Sequence, residues 1–280
     1  MKVLVTGVNG QLGYDICKSL KENNIDHLGI DRENLDICNQ TAVEAFIDEY
    51  QPSHLIHCAA YTAVDLAEDN QDLAHEVNVI GSKNLVEACI KNDTTIVYFS
   101  TDYVFSGDKE GFYNEDDKVN PKSVYGLTKY LGEEEVRKNP KHFICRISWV
   151  YGVNGNNFVK TMLKLGKNNS ELRVVADQIG TPTYTVDVSE MVMEMIKSDK
   201  YGTYHLTNSN TCSWYEFAVK IFELKKIPVK VIPIASSEYK TKAQRPLNSK
   251  LSKAKLIKEF HALPSYEDAL KRYLHEINVD

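Results

Sequence analysis

The sequence predicts an α/β protein: a doubly wound, mainly parallel sheet followed by a smaller C-terminal lobe. Three observations predict it. The first strand runs straight into a glycine-rich turn and a helix. Short apolar runs and helical repeats then alternate as far as residue 147, the order of a right-handed parallel sheet. Beyond Trp149 this alternation loosens, and no second glycine-rich turn appears.

Residues 2–6 read as a buried strand that enters Gly7-Val-Asn-Gly-Gln-Leu-Gly13. Helical spacing follows to about Asn23, with Leu12, Ile16 and Leu20 on one face. A turn of this kind lets backbone N–H groups approach a pyrophosphate at the positive end of the helix. The second strand, 27–30, ends on Asp31. A carboxylate there suits the adenine ribose hydroxyls of a dinucleotide, so the N-terminal part reads as Rossmann-type. Arg32 follows and tolerates a ribose phosphate, which leaves NADH expected and NADPH possible. Thr41 and Glu44 form a capping box that opens a helix to Tyr50. The third strand, 54–58, leads into Ala59-Ala-Tyr-Thr62, where small residues allow close backbone approach to a ligand. One long helix is expected over 69–91. The fourth strand, 95–99, delivers Ser100-Thr-Asp102 where ligands of such sheets bind. A polar loop, 107–122, leads to a helix carrying Tyr125 and Lys129, and then to a strand over 142–147. In the tail, helices are expected at 158–166, 187–197 and 265–277, with Ser213 capping another. Strands are expected at 172–176, 203–206 and 229–232. Residues 1–151 form the dinucleotide-binding domain, to which 183–207 returns. Residues 152–182 and 208–280 form a substrate-binding lobe.

Composition narrows the function. The 280 residues are 42% hydrophobic and 26% charged, with a net charge of −6, an ordinary globular balance. That charge argues against a general nucleic-acid binder. Lysines at 225–226 and between 250 and 258 read as solvated helix faces. No apolar run is long enough for a membrane span or a signal peptide, so a cytoplasmic protein without membrane insertion is expected. The six cysteines show no CxxC spacing and read as reduced thiols. His54 and His57 point to opposite faces of a strand, and no metal site is visible.

Tyr125 and Lys129 carry the chemistry. Four residues apart on a helix, they share one face. Tyrosine has a reference pKa near ~10, and an adjacent ammonium is expected to lower it toward the range of efficient proton transfer.

Together these pieces resemble an extended short-chain dehydrogenase/reductase, and most of all the dTDP-4-dehydrorhamnose reductase family. The resemblance spans nearly the whole chain. It is carried by Val5-Thr-Gly-Val-Asn-Gly-Gln-Leu-Gly13, Ala59-Ala-Tyr-Thr-Ala-Val-Asp65, Val77-Asn78 with Gly81, and Ser100-Thr-Asp-Tyr-Val-Phe105. It continues through Tyr125-Gly-Leu-Thr-Lys129, Arg146-Ile-Ser-Trp-Val-Tyr-Gly152, Asp177-Gln-Ile-Gly-Thr-Pro-Thr183 and Arg245-Pro-Leu-Asn-Ser249.

The resemblance implies that Thr101, Tyr125 and Lys129 are catalytic. It implies cofactor contacts at Gly7, Asn9, Gly10, Gln11, Leu12, Gly13, Asp31, Asp36, Ile37, Ala59, Ala60, Tyr61 and Thr62, besides Tyr125 and Lys129. Substrate contacts are implied at Thr101, Asp102, Tyr103 and Trp149; Arg245 is a further candidate, for the diphosphate. The implied reaction is NAD(P)H-dependent reduction of a 4-keto sugar carried on a nucleotide diphosphate, most of all dTDP-4-dehydro-L-rhamnose. In it Tyr125 gives a proton to the carbonyl oxygen, Thr101 bonds the same oxygen, and Lys129 tunes Tyr125 and holds the nicotinamide ribose. A dehydratase would need a second carboxylate after Asp102, where Tyr103 stands. An epimerase, or a non-catalytic nucleotide-binding subunit, remains an alternative at this stage. A monomer or weak homodimer is expected, because Asp15 and the stretch 184–187 lack the glutamates of metal-bridged relatives.

Overall fold

The computed structural model describes residues 1–277. The first half of the chain lays down β1 (Lys2–Thr6), α1 (Gln11–Glu22), β2 (Asp26–Ile30), α2 (Gln40–Tyr50), β3 (His54–His57) and α3 (Val64–Ala67). It continues with α4 (Gln71–His75), a π-helical turn (Glu76–Ile80), α5 (Gly81–Lys91), β4 (Thr95–Thr101), α6 (Val124–Val136) and β5 (His142–Ile147). The tail holds β6 (Val150–Tyr151), α7 (Phe158–Asn168), β7 (Glu171–Val175), β8 (Ile179–Gly180), β9 (Thr183–Tyr184), α8 (Thr185–Met195) and β10 (Gly202–His205). It ends with β11 (Cys212–Ser213), α9 (Trp214–Lys225), β12 (Lys230–Ile234), α10 (Ala254–Glu259) and α11 (Tyr266–Glu276).

Six parallel strands form the main sheet in the order β10-β5-β4-β3-β1-β2. Strand order reverses between β1 and β3, and ligands of open α/β sheets bind at that point, beyond the carboxyl ends. Alternation along the strands fills both faces. Val3, Val5, Ile56, Val97, Phe99, Phe143 and Cys145 pack with α1 and α8 through Leu12, Ile16, Leu20, Val188, Met191 and Val192. The intervening Leu4, Leu55, Ile96, Tyr98 and Ile144 pack with Val43, Ile47, Leu85, Val86 and Val136 on the other side.

A separate core gathers Tyr151, Val159, Leu163, Val174, Tyr184, Phe217, Ile221, Leu270 and Tyr273 from the tail. The tail divides differently from the expected boundaries. Leu256 and Leu263 belong to the core beside the sheet, and Leu251 packs with Val104, Phe105 and Tyr113. The chain around 251–263 therefore returns to the first half.

Two local expectations are corrected. Thr41 is not the cap of α2: the cap lies two residues earlier, where Asn39 Oδ1 accepts the Ala42 N–H at 3.1 Å. Asparagine is at least as good an N-cap as threonine. The helix expected over 69–91 starts at Gln71 and contains the π turn at 76–80. That turn holds Asn78, whose amide is drawn to the Tyr61 backbone: Tyr61 N–H donates to Oδ1 at 2.8 Å, and Nδ2 donates to Tyr61 O at 3.1 Å. All six cysteines are free thiols.

Candidate active site

A cleft of about 1100 Å³ opens at the carboxyl ends of β1, β3, β4 and β5. Its nucleotide end is built by backbone. Gly7 has φ +71°, and a Cβ there would meet the backbone of Ala59. The Gly10 N–H donates to Gly7 O at 3.0 Å, and Gly13 lies against the same carbonyl. No side chain caps α1, so its first N–H groups remain open to an anion. Asn9 and Gln11 send their other groups to the tail. Gln11 Oε1 accepts from Gly152 N–H and Asn157 Nδ2, each at 3.0 Å, and Asn154 Nδ2 donates to Asn9 O at 2.8 Å.

Asp31 is held in one orientation. Oδ1 accepts the N–H groups of Glu33 and Asn34 at 2.9 and 3.2 Å, and Oδ2 accepts Asn9 Nδ2 at 2.7 Å. Of the carboxylate's roughly four acceptor positions, one is left for a ribose hydroxyl. Asp36, Ile37, Leu12 and residues 59–62 complete this wall. The Ala59 N–H donates to Thr6 Oγ1 at 3.2 Å, and Thr6 Oγ1 lies 2.9 Å from the His57 ring. Asn78 also donates to Thr128 Oγ1 at 3.0 Å, tying the 59–62 loop to α6. Asn78, one of the residues that carry the family resemblance, was not among the expected site residues, because a helical pattern does not separate a polar clamp from a solvated face.

At the other end β4 delivers Thr101 and α6 delivers Tyr125 and Lys129, all three lining the cleft. Ser123 caps α6 by accepting the Gly126 N–H at 3.1 Å. Gly126 and Gly132 let the helix settle on Tyr103 and Tyr98. The buried Lys129 ammonium stands 4.0 Å over the Tyr98 ring, and Tyr98 Oη donates to Lys129 O at 3.2 Å. Burial pulls the Lys129 ammonium down to about 7, opposed by the charge of Glu133.

Tyr125 departs from expectation. Its phenol is pushed up to about 12, not lowered by Lys129: burial dominates, a hydrogen bond from Thr101 works the other way, and Asp102 adds to the rise. A phenol of high pKa keeps its proton at neutral pH, the state a proton donor needs. Asp102 and Tyr103 lie beside it, with the Tyr103 ring edge-on to Tyr125 at 5.6 Å.

Arg245 is the one expected residue outside the cleft lining. Its Nη2 donates to Asp65 at 2.9 Å, and Asp65 also accepts the Ala243 N–H at 3.1 Å. Neither Asp65 nor its separation from Arg245 marked them in sequence as a pair. Trp149 does line the cleft, at φ +49°, and stacks on Trp214 with ring centroids 3.6 Å apart and planes 9° apart. Gly180 lies so close to Trp149 that a Cβ there would meet Cε2, Cζ2 and Nε1 of the indole. Trp214 is a lining residue that sequence reasoning missed; its position directly after the helix cap Ser213 was the available signal.

A dinucleotide cradle joined to a Thr/Tyr/Lys cluster defines a nicotinamide-dependent oxidoreductase of the short-chain class. A family model described as "RmlD substrate binding domain" matches residues 1–279, and the chain belongs to this family. It is 42% identical to the dTDP-4-dehydrorhamnose reductase of Aggregatibacter actinomycetemcomitans, over 96% of this chain and 97% of that one. Among solved structures, a dTDP-4-dehydrorhamnose reductase from Clostridium acetobutylicum is 46% identical, with a TM-score of 0.97 and all of both chains covered. The Bacillus anthracis dTDP-4-dehydrorhamnose reductase in complex with NADP is 44% identical, with a TM-score of 0.96 over 99% of this chain and 100% of that one.

Proposed function

We propose that this protein reduces the 4-keto group of a nucleotide-linked 6-deoxy sugar with NAD(P)H, taking dTDP-4-dehydro-L-rhamnose to dTDP-L-rhamnose. The observation that carries this reading is the convergence of Thr101, Tyr125 and Lys129 at one end of a cleft whose other end is a glycine cradle. The family membership and the relatives' names support the substrate.

The residues present fit a dinucleotide. The positions Gly7 and Gly13 vacate, the uncapped start of α1 and the remaining acceptor on Asp31 would hold pyrophosphate and adenine ribose. Asp36, Ile37 and the Ala59–Thr62 loop would wall its path, and the Lys129 ammonium would hold the nicotinamide ribose. When bound, the dihydronicotinamide supplies hydride to the carbonyl carbon. Tyr125 donates its proton to the carbonyl oxygen, and Thr101 supports the charge that develops there. Lys129 lends the phenol a positive neighbour, and Trp149, Asp102 and Tyr103 shape the sugar side. The core that includes Tyr151 and Phe217 would carry the substrate lobe, working in a cytoplasmic protein. NADH oxidation with a panel of dTDP-, GDP- and UDP-4-keto sugars tests the reading; no turnover on any of them would sink it.

Asp31 also sets the cofactor. Its carboxylate repels a 2′-phosphate, while the exposed Arg32 leans 3.9 Å from Asp36. NADH is expected to be used at least as well as NADPH. Asp31→Asn shifts the kcat/KM ratio toward NADPH by about tenfold, the equivalent of ~1.4 kcal/mol of relieved repulsion. A wild-type enzyme with strong NADPH preference would remove this role from Asp31.

Asp15 and the stretch 184–187 lack the glutamates of the metal-bridged relatives. We infer a monomer or weak homodimer that needs no Mg²⁺. Light scattering and activity are expected to be the same with and without EDTA, and a mass that halves on chelation would contradict it.

A further inference from the structure

His57 closes β3 directly behind the cleft wall, 2% exposed, and no step of the reduction uses it. Its ring lies between two hydroxyls: Thr6 Oγ1 stands 2.9 Å from Nδ1, and Ser82 Oγ stands 3.1 Å from Nε2. The other partners of those hydroxyls decide which nitrogen carries the proton. Ser82 Oγ is 2.7 Å from Asn78 O, the carbonyl four residues earlier, and a carbonyl only accepts. The one Ser82 proton is spent there, so Nε2 must donate to Ser82. On the other side Thr6 Oγ1 accepts the Ala59 N–H at 3.2 Å and keeps its own proton to give to a bare Nδ1.

Donation thus runs one way, from Ala59 N–H through Thr6, His57 and Ser82 to Asn78 O. The imidazole is neutral: burial holds it down to about 3, and the Lys129 ammonium adds to the fall. Both ends of the chain are parts of the site. Thr6 ends β1 beside Gly7, which packs on the Ala59 backbone, and Ala59 opens the 59–62 stretch of the cleft wall. Asn78 lies on the π turn, and its side chain clamps the Tyr61 backbone and donates to Thr128 of α6 at 3.0 Å. The His57 ring also packs against Tyr98, with centroids 5.6 Å apart, the same ring over which the Lys129 ammonium stands.

We propose that His57 is a positioning residue, locked as the neutral Nε2–H tautomer, that fixes the 59–62 loop against the π turn and so against the helix carrying Tyr125 and Lys129. It acts through Ala59 and Asn78 and touches neither cofactor nor sugar. The inference rests on the reading of residues 59–62 as cofactor wall and of α6 as the reacting helix. Imidazole suits the position because one rigid ring accepts on one side and donates on the other. An amide covers one side only. His57→Asn keeps an acceptor for Thr6 and loses the donor to Ser82, and His57→Gln does the reverse.

His57→Phe keeps a ring in the core and removes both hydrogen bonds. It is expected to weaken NADH binding about tenfold and to lower kcat about tenfold, with KM for the keto sugar within about twofold of wild type. His57→Asn and His57→Gln should each recover part of both losses. Ser82→Ala, which leaves the imidazole in place and removes its acceptor, should weaken NADH binding in the same direction. A His57→Phe enzyme with lower Tm but NADH affinity and kcat within about twofold of wild type would reduce His57 to core packing and overturn the proposal. So would a loss confined to the KM of the sugar. A second readout uses the wild-type protein. Nitrogen NMR of histidine-labelled enzyme, with the His57 signals assigned by their loss in His57→Gln, should show Nε2 protonated and Nδ1 bare at neutral pH. A proton on Nδ1 would refute the tautomer, and this result stands even where His57→Phe fails to fold. Should the keto sugars fail as substrates, the proposed reaction falls, while the NADH affinities and the NMR still decide the role of His57.

Discussion

Tyr125→Phe is expected to lower kcat by roughly two to four decades, the weight of a positioned acid, while NADH affinity stays close to wild type. The substitution removes a hydroxyl and leaves the ring to pack edge-on against Tyr103. Lys129→Met should divide the effect differently. The ammonium lies within the cleft and is held near 7 by burial, so it is the group most easily lost there as pH rises. The sign follows. Deprotonation removes a cation from the cofactor pocket, so NADH affinity of the wild type should weaken as pH climbs through about 7, and in Lys129→Met it should be weak and flat. Thr101→Ala, which deletes a hydrogen bond rather than a proton donor, should cost less than either. Steady-state kinetics and a fluorescence titration of NADH across pH measure all three. A fully active Tyr125→Phe enzyme would end the catalytic assignment.

Arg146→Met should produce the largest loss of stability, about 3–5 kcal/mol, with Tm lower by roughly 10 °C. Arg146 on β5 is 1% exposed and grips Glu133 of α6 twice, Nε to Oε1 at 2.9 Å and Nη2 to Oε2 at 2.8 Å. Its Nη1 donates to Glu115 O at 3.0 Å, which pins the polar loop onto the sheet, and the guanidinium sits 5.1 Å over the Phe105 ring. Removing the arginine leaves a fully buried carboxylate with the partly exposed Arg137 and the Lys129 ammonium as its remaining cations. Changing both partners, Arg146→Met with Glu133→Leu, should recover much of the loss, because an apolar pair needs no desolvated charge. Calorimetry on the single and double variants checks this. A double variant as unstable as the single one would mean that packing, not the stranded charge, sets the penalty.

How much was legible in the sequence follows from how local each signal is. The strand, turn and helix from Lys2 to Glu22 are written in adjacent residues, and so is the spacing of Tyr125 and Lys129. The end of β4 was legible as a position, because the apolar run leads directly to Thr101. The π turn was not: it depends on Asn78 meeting the Tyr61 backbone, a contact that no helical period announces. Strands of two residues such as β6, β8, β9 and β11 are too short to show an alternation. The ion pair of Arg245 with Asp65 was not legible, because the two residues lie in distant parts of the chain. The direction of the Tyr125 shift was also out of reach. Sequence supplied the neighbouring cation, but burial, which outweighs it, comes only from the packed fold.

The stacked indoles at the mouth of the cleft have an optical consequence. Trp149 and Trp214 are the only two tryptophans in the chain. Two indoles nearly parallel at 3.6 Å couple their excited states, so the tryptophan emission and the indole exciton part of the circular dichroism originate at one junction. The molecule carries its own gauge there: whatever slides Trp214 against Trp149 rewrites the indole signal, independently of the backbone signal that reports unfolding elsewhere.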